Sequence, residues 1–353
     1  MIVRRFQSVL VALSCLAVTL SSVALAATHL SETGSTLLYP LMSVWIAKYM
    51  QLHPDLELSA QATGSSAGVA DALSGEAQIG GSDAYLSDTQ MQAGLLNVPL
   101  AVSSQEISYN VPELHGGVPL RLSGPTLAGI YDGTIDAWDD ARLRSINPGR
   151  SLPHHSIVPI HRSEGSGDTF LFTTYLALST PSWEREVHAG NRVDWPPVGS
   201  ALEARGNAGM VDLCERVPYS IAYIGISFAD RARAGGLDVA VLENRAGAYL
   251  APTAKTVQAA LDATGSVSAD GRASMIFANG ADSYPLVNFE YAVVKERQTT
   301  PEMAGDLRDF LEWAVSPTDG NDPNLVGAYH FVPLPSQARS IARQQINRIS
   351  GPK

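Results

Sequence analysis

The sequence has few cysteines, few aromatic residues and few positive charges. Its 353 residues include 2 Cys and 7% aromatic residues, and 24 Lys and Arg stand against 35 Asp and Glu. The resulting net charge of -11 excludes binding to nucleic acid or to an anionic membrane through bulk charge. Because Cys15 lies in an N-terminal apolar segment, an exported form would keep Cys214 alone and have no internal disulfide. We expect Cys214 to be a small buried residue.

Long apolar runs are also scarce, and the one that stands out lies at the N-terminus. Two arginines precede an almost wholly apolar run over residues 10–20, and small residues spaced two apart end at Ala26. This pattern predicts a secretory signal peptide over residues 1–26, cleaved after Ala26. The alternatives are an uncleaved anchoring helix, for which the run is short, and a lipoprotein, for which Cys15 lies too far inside the run. No later stretch approaches the roughly 18 unbroken apolar residues of a membrane span.

The chain is long enough for about two domains, each with its own core. Its 30 Gly and 21 Pro are ordinary for a globular protein, which excludes collagen-like and low-complexity classes. Predicted strands alternate with predicted helices, and this alternation indicates an α/β fold with mostly parallel sheets. The predicted strands lie at residues 56–60, 77–80, 98–102, 157–160, 221–224 and 291–294.

Four helices are predicted from the spacing of apolar and polar residues. Apolar side chains repeat every three to four positions over residues 39–49, which is the period of one helix face. The other predicted helices lie at residues 168–178, at residues 307–315 and around the polar face of Arg339, Arg343 and Arg348.

Glycine followed by hydroxyl residues recurs before three predicted helices. These turns are residues 34–36, 64–66 and 165–168. Each brings backbone N–H groups, the positive end of a helix dipole and a hydroxyl donor to one place. A single turn of this kind is usually no more than a helix cap. If the three turns converge, they form a set of neutral donors for an oxyanion.

Ordered motifs along essentially the whole mature chain resemble those of a known family. They are residues 33–37 (TGSTL), 63–68 (TGSSAG), 81–87 (GSDAYLS), 130–135 (IYDGTI), 138–140 (WDD), 143–153, 161–170 (HRSEGSGDTF), 209–210, 223–225 (YIG) and 331–335 (FVPLP). In this order they resemble the phosphate-binding receptors of bacterial phosphate-specific ABC transporters, the PstS type.

The resemblance implies a two-domain periplasmic binding protein that closes on inorganic phosphate like a hinge. Domain I would consist of residues 27–111 and 286–353, and domain II of residues 112–285, with strands that cross near residues 110–112 and 284–286. The receptor would be a periplasmic monomer that delivers phosphate to the permease subunits of a membrane ABC transporter. It would bind no nucleic acid, cofactor or metal.

Ten residues match the phosphate-binding positions of the family. The first turn would offer backbone N–H groups and the Thr36 hydroxyl, and the third helix would offer N–H groups at its start. Arg162 would supply the one formal positive charge, through a forked guanidinium. Asp83 would accept the hydrogen that phosphate still carries near neutral pH. The ten residues are Ser35, Thr36, Leu37, Ser65, Asp83, Arg162, Glu164, Ser166, Gly167 and Asp168.

Two of these positions depart from the family pattern. Glu164 stands where the family usually has Asp, and its extra methylene shifts its pairing with Arg162 or with a second ligand proton. Asp168 stands where many members have Thr. Because an ionised carboxylate cannot donate, we expect only the backbone N–H of Asp168 to serve, with the carboxylate capping the helix. Both departures concern affinity more than the identity of the ligand.

An enzyme hypothesis depends on one motif. Residues 64–68 fit the Gly-x-Ser-x-Gly nucleophile elbow of hydrolases, with Ser66 as the nucleophile. A catalytic triad would need a later acid and histidine, for example Asp282 and His330. No surrounding pattern supports either residue, and the His-Gly-Gly-Gly type of oxyanion motif is missing.

Two further alternatives share the expected fold. A PstS-like phosphatase would hydrolyse phosphate esters, which a metal cluster would normally assist. A receptor for another oxyanion, such as sulfate, would not need the acceptor at Asp83. Four histidines could suggest a metal site, but their spacing fits no known metal-ligand motif. They are His154, His155, His161 and His188.

Overall fold

The computed structural model describes residues 28–352. The predicted signal peptide, its cleavage point after Ala26 and Cys15 lie outside these residues. The strands are β1 (Thr28–Gly34), β2 (Leu56–Gln61), β3 (Ile79–Ser82), β4 (Leu95–Asn110), β5 (Arg121–Leu122), β6 (Val158–Arg162), β7 (Leu202–Ala204), β8 (Ser220–Gly225), β9 (Asp238–Val239), β10 (Val241–Glu243), β11 (Tyr249–Leu250) and β12 (Val287–Lys295).

The four helix predictions are confirmed, although the last helix ends before Arg348. None of the helices described has both the length and the apolarity that a membrane span requires. The helices are α1 (Tyr39–Leu52), α2 (Ser65–Ser74), α3 (Asp88–Gln92), α4 (Gly124–Tyr131), α5 (Ala141–Ile146), α6 (Gly167–Ser179), α7 (Pro181–Glu186), α8 (Gly206–Arg216), α9 (Ala229–Ala234), α10 (Ala254–Ala263), α11 (Pro301–Val315), α12 (Pro323–Gly327) and α13 (Ser336–Ile346).

One large sheet runs through the molecule in the order β2-β1-β3-β12-β4-β8-β6-β7, with β9 paired to β4. All six predicted strands belong to this sheet. Strand β1 is parallel to β2 and β3, and β6 is parallel to β7 and β8. The centre is different, because β4 and β12 run antiparallel to each other and to their outer neighbours. The α/β alternation is therefore confirmed, but the sheet is mixed rather than mostly parallel.

Strand β4 links the two parts of the sheet. It is buried along its whole length. From Leu95 to Ser104 it pairs with β12, and from Gln105 to Asn110 it pairs with β8. A single buried strand thus belongs to both parts, and its partner changes between Ser104 and Gln105, before the predicted crossing at residues 110–112. The division of the chain into two domains stays a prediction.

Helix α1 places the first glycine turn against the sheet. The side chain of Trp45 is fully buried, and its indole N–H donates to the carbonyl of Gly320 at 2.7 Å. One turn further on, the ring of Tyr49 meets the ring of Phe310 from α11 edge to face, with centroids 5.2 Å apart. These contacts bury the apolar face that the sequence predicts, and they hold the start of α1 at the end of β1.

Cys214 is a core residue, as expected. Its side chain is fully buried on α8, and the Ser220 hydroxyl donates to its Sγ atom at 3.3 Å. Burial raises the pKa of the Cys214 thiol to about 12, so the thiolate is not formed at neutral pH.

Candidate functional site

The three glycine turns meet at one point of the structure. The amide of Gly64 in the second turn donates to the carbonyl of Gly34 in the first turn at 2.7 Å. The amide of Ser66 in the second turn donates to the carbonyl of Gly165 in the third turn at 3.2 Å. These two direct backbone hydrogen bonds join residues that are 30 and 99 positions apart in the sequence.

Two glycines permit this close approach. Gly34 has a φ of +143°, which side chains rarely adopt, and a Cβ atom there would overlap the carbonyl oxygen of Gly81. At Gly167, the first residue of α6, a Cβ atom would lie 2.5 Å from Cβ and Oδ2 of Asp83. A larger residue at either position would separate β1 from β3, or Asp83 from the start of α6.

Asp83 forms one side of the site. It follows β3 and is 1% exposed. The Ser35 hydroxyl donates to its Oδ1 atom. The Ser65 hydroxyl donates to its Oδ2 atom at 3.1 Å. The Asp83 carboxylate is thus held between the first two turns and packed against the N-terminus of α6, whose helix dipole favours negative charge.

Arg162 forms the other side of the site, at the end of β6. Its Nη1 atom donates to Oδ2 of Asp168 at 2.6 Å, and its Nε atom donates to Oε1 of Glu164 at 2.8 Å. The side chain of Arg162 is 1% exposed. A buried guanidinium is stable only when its charge and its N–H groups are matched, and here two carboxylates match them.

The carboxyl groups of this cluster outnumber its cation. Burial, together with the charge of Asp83, raises the pKa of Asp168 to about 6, against the opposing effect of Arg162 and of hydrogen bonds. Burial also disfavours the ionised form of Glu164, but the hydrogen bond and charge of Arg162 outweigh burial, so that the pKa of Glu164 is lowered. Glu164 is therefore the permanent counter-ion of Arg162, whereas Asp168 changes its charge near neutral pH.

Asn207, near the start of α8, joins the first turn to the third, and the sequence analysis did not find it. Its Nδ2 atom donates to Oγ1 of Thr36 at 3.0 Å and to Oδ2 of Asp168 at 2.7 Å. Its backbone N–H also donates to the Thr36 hydroxyl oxygen, at 3.2 Å. Because that oxygen accepts twice from Asn207, the Thr36 O–H hydrogen is directed elsewhere and can serve as a donor.

Gln105 is a second residue that the sequence analysis missed. It is fully buried on β4, where that strand changes partner. Its Nε2 atom donates to the backbone carbonyl of Asp168 at 3.0 Å and to Oδ1 of Asp168 at 3.2 Å. Neither Gln105 nor Asn207 belongs to a glycine turn or a spaced motif, so only the sheet and helix packing reveals them.

Three expected backbone donors point elsewhere in this structure. The amide of Ser35 donates to the carbonyl of Gly81 at 2.8 Å, and the amide of Ser166 donates to the carbonyl of Asn191 at 2.8 Å. The amide of Asp168 donates to the Ser166 hydroxyl oxygen at 3.0 Å. The Asp168 N–H is satisfied by a local helix cap, and the other two N–H groups are satisfied by carbonyls distant in the sequence, which sequence spacing alone does not reveal.

The expectation for the Asp168 side chain is wrong. Ser166, rather than the Asp168 carboxylate, caps α6. The Asp168 carboxylate turns inward to Arg162, Asn207 and Gln105. Capping by Ser166 leaves the carboxylate available, and a buried cation nearby attracts it more strongly than a neutral N–H group does.

Glu164 and Leu37 occupy the two flanks of the cluster. Besides Arg162, Oε1 of Glu164 accepts from the amide of Gly206 at 3.0 Å, so that its longer side chain reaches the start of α8. Leu37 is fully buried, and its carbonyl accepts from the Ser227 hydroxyl at 2.7 Å. The structure thus brings all ten predicted residues into one region, while their roles toward a ligand stay predictions.

The hydrolase hypothesis gains no support from the packing around Ser66. Its hydroxyl lies against Gly165, where a Cβ atom would overlap it. His330 lies with its Nε2 atom 3.0 Å from Oδ2 of Asp230. Between residues 28 and 352, no group of three or more His, Cys, Asp or Glu side chains has an arrangement that could hold a metal ion.

A cavity of about 480 Å³ borders the Arg162 side of the cluster. Its wall includes Arg162 and Glu164, and also Trp195, whose ring stacks on that of His161 with centroids 4.6 Å apart. Asp83 does not line this cavity. The two sides of the cluster therefore differ: Asp83 is enclosed by the turns, and Arg162 lies next to open space.

Known proteins share both the sequence pattern and the fold. A family model described as PBP superfamily domain matches residues 21–318. The phosphate-binding protein PstS of Methanocaldococcus jannaschii is 34% identical over 339 residues, which cover 90% of this chain and 85% of that protein. The phosphate-binding protein PstS of Xylella fastidiosa strain 9a5c is 30% identical, over 87% of this chain and 81% of that protein.

A solved structure, the phosphate-binding protein from Stenotrophomonas maltophilia, has the same fold. It matches with a TM-score of 0.67 at 19% identity, over 90% of this chain and 93% of that one. This likeness confirms the predicted periplasmic-binding-protein fold of the α/β class, and the hinge and the ligand cleft between domains stay predictions.

Proposed function

This chain belongs to the PBP superfamily and, within it, to the PstS phosphate-binding proteins, and we propose that it is a receptor that binds inorganic phosphate for an ABC transporter. One observation carries the proposal. A buried guanidinium, Arg162, and a buried carboxylate, Asp83, lie on opposite sides of three converging donor turns. An oxyanion that still carries a proton needs donors, one cation and one acceptor at the same place.

The proposed contacts are those of the sequence analysis, with their roles adjusted to the structure. Ser35 and Ser65 act through their hydroxyls, which donate to the Asp83 carboxylate and hold it in place. Thr36 donates through its hydroxyl. The N-terminus of α6 lies beside the anion and is formed by Ser166, Gly167 and Asp168. The charged wall of the site is formed by Arg162 and Glu164. Leu37 closes the apolar flank of the site.

The receptor binds and releases its ligand without covalent chemistry. The relatives named above are binding proteins. We further propose that the chain is exported after cleavage behind Ala26 and works in the periplasm as a monomer. The permease subunits of the transporter are its proposed partner, and the acidic surface makes nucleic acid an unsuitable one.

Phosphate is expected to stabilise the folded protein. At about one hundred times its Kd, a ligand that binds only the folded state adds about 2.7 kcal/mol to the free energy of unfolding. The melting temperature should therefore rise by several degrees, which differential scanning calorimetry of ligand-stripped protein can measure. Sulfate at the same concentration is the control, and it should shift the melting temperature less. An unchanged melting curve in millimolar phosphate would contradict the receptor proposal.

Asp168→Asn is expected to tighten phosphate binding more at pH 8 than at pH 5. Burial and Asp83 raise the pKa of Asp168 to about 6, so the side chain is neutral at pH 5 and ionised at pH 8. When ionised, it competes with the ligand for Arg162. Removing that charge should tighten binding on the order of tenfold at pH 8, which corresponds to about 1.4 kcal/mol, and little at pH 5.

Isothermal calorimetry at the two pH values tests this expectation. Asp194→Asn is the matched control, because Asp194 is an exposed carboxylate whose loss changes the net charge equally. The comparison between variants removes the effect of the ligand's own titration, which is common to all of them. Parallel pH profiles for the parent and Asp168→Asn would show that Asp168 does not compete.

A further inference from the structure

Strand register places Glu290 opposite Asp83. Strand β12 is antiparallel to β3, with Tyr291 paired to Ser82. The residue before Tyr291 therefore faces the residue after Ser82, which brings Glu290 next to Asp83 at the end of β3. Glu290 is fully buried, and the sequence analysis did not single it out because it lies in an apolar strand without a motif.

The two carboxyl groups lie within hydrogen-bonding reach of each other. Oε1 of Glu290 accepts from the Ser103 hydroxyl at 2.5 Å. Oε2 of Glu290 is buried and receives no hydrogen bond from a donor among residues 28–352. Oε2 of Glu290 and the Asp83 carboxylate are both buried acceptors. Two buried acceptors that lie side by side are stable when one of them carries a proton and donates it to the other.

The proton belongs on Glu290 rather than on Asp83. Two hydroxyls, of Ser35 and Ser65, donate to Asp83, whereas one hydroxyl, of Ser103, donates to Glu290. Hydrogen bonds to a carboxylate favour its ionised form, and Glu290 accepts fewer of them, which favours its protonated form. Burial, followed by the charge of Asp83, raises the pKa of Glu290 well above its usual range.

The neighbouring charges that act most strongly on Glu290 are both negative. The charge of Asp168 at the start of α6 also acts on Glu290 and disfavours its ionisation. Helix α10, which packs near β12, buries apolar residues. The groups that face Glu290 thus keep it neutral.

We propose that Glu290 is a positioning residue whose carboxylic O–H donates to Asp83 and so orients the acceptor of the phosphate site. The inference rests on the proposed function of that site. The hydrogen bond from Glu290 ties Asp83 to the central strand β12, while the two serine hydroxyls tie it to the turns. It also limits the carboxyl pair to a single negative charge, so that the pair accepts a hydrogen from the anion without a second repelling charge.

Two substitutions of similar size separate a hydrogen-bonding role from space filling. Glu290→Gln keeps an acceptor for Ser103 and a donor for Asp83 but cannot ionise. Glu290→Met fills the same space with neither group. We expect Glu290→Gln to bind phosphate within about threefold of the parent at pH 6 to 8. We expect Glu290→Met to bind at least tenfold more weakly and to discriminate less against sulfate.

Calorimetric Kd values for phosphate and sulfate, measured for the full mature chain, decide between the roles. If Glu290→Met binds phosphate as tightly as Glu290→Gln does, Glu290 only fills space and the proposal is overturned. If Glu290→Gln binds phosphate much more tightly than the parent, Glu290 is ionised in the parent and the proposal is also overturned. Failure of the parent itself to bind phosphate would instead contradict the proposed function, which separates the two outcomes.

A ligand-free measurement covers the case in which Glu290→Met does not fold. The infrared spectrum of the parent at pH 7 should contain the carbonyl band of protonated carboxylic acids, and Glu290→Gln should lose the share of one carboxyl group. The rest of the band stays, because other buried acids, such as Glu32, whose pKa burial raises to about 8, also contribute to it. Asp55→Asn, which replaces an exposed carboxylate, should leave the band in place. Identical spectra for the parent and Glu290→Gln would mean that Glu290 carries no proton, which overturns the proposal.

Discussion

Arg162→Met is expected to abolish phosphate binding and to lower the free energy of unfolding by about 3–5 kcal/mol. The side chain of Arg162 is 1% exposed and donates to both Glu164 and Asp168. Its loss leaves those carboxylates buried beside Asp83 without a neighbouring guanidinium, so their negative charges repel each other. An entering anion would be repelled by the same charges. The stability loss should be smaller at pH 5 than at pH 8, because Asp168, with a pKa of about 6, is then protonated.

Arg162→Lys should give an intermediate result. It keeps the charge, but a single ammonium group cannot reproduce the fork that reaches Glu164 and Asp168 together. Urea denaturation measures the stability and calorimetry measures the binding. Arg192→Met is the matched control, because Arg192 is exposed at the rim of the same cavity. If both Arg162 variants bind phosphate as the parent does, the site has been assigned to the wrong place.

Asp83→Asn is expected to remove most of the discrimination between phosphate and sulfate. Phosphate near pH 7 offers a hydrogen to an ionised Asp83, whereas sulfate offers only lone pairs. In a site where Asp83 is 1% exposed, pressing two anionic oxygens together costs on the order of several kcal/mol, enough for discrimination of several orders of magnitude. The Asn amide gives sulfate a donor, so sulfate should bind more tightly while phosphate binds equally or less tightly.

The ratio of the sulfate Kd to the phosphate Kd, measured by calorimetry at pH 7, is the quantity to compare. Asp55→Asn is the control, since it removes one exposed carboxylate that belongs to none of the three turns. In the parent the ratio should also fall as the pH rises and phosphate loses its hydrogen. If Asp83→Asn rejects sulfate as strongly as the parent does, the discrimination lies elsewhere, and Glu164 is the next residue to substitute.

Local sequence patterns were sufficient to predict the parts of the site that lie in turns. A glycine with a positive φ or a close backbone approach, such as Gly34, leaves a signal because no other residue fits. Hydroxyls that follow such glycines can be recognised in the same way, whereas Arg162 was predicted from the resemblance to a known family. The helices could be predicted for a similar reason, because burial of one face imposes a spacing of three to four residues.

The tertiary structure decided the contacts between elements distant in the sequence. Gln105, Asn207 and Glu290 reach the site through strand register and helix packing, and no local pattern distinguishes them from other residues of their strands or helices. The inward turn of Asp168 depends on a buried cation six positions away in the chain and on Asn207 from another helix.

The sequence by itself determined the α/β alternation and the three donor turns, because each depends on local conformation, whereas Asp83 and Arg162 were predicted from the resemblance to the PstS family. Only the tertiary structure decided that the central strands run antiparallel and that two carboxylates, Glu164 and Asp168, contact one buried guanidinium. The physical reason is burial. Desolvation and the charges of neighbours decide which acid keeps its proton, and both depend on what folding brings together.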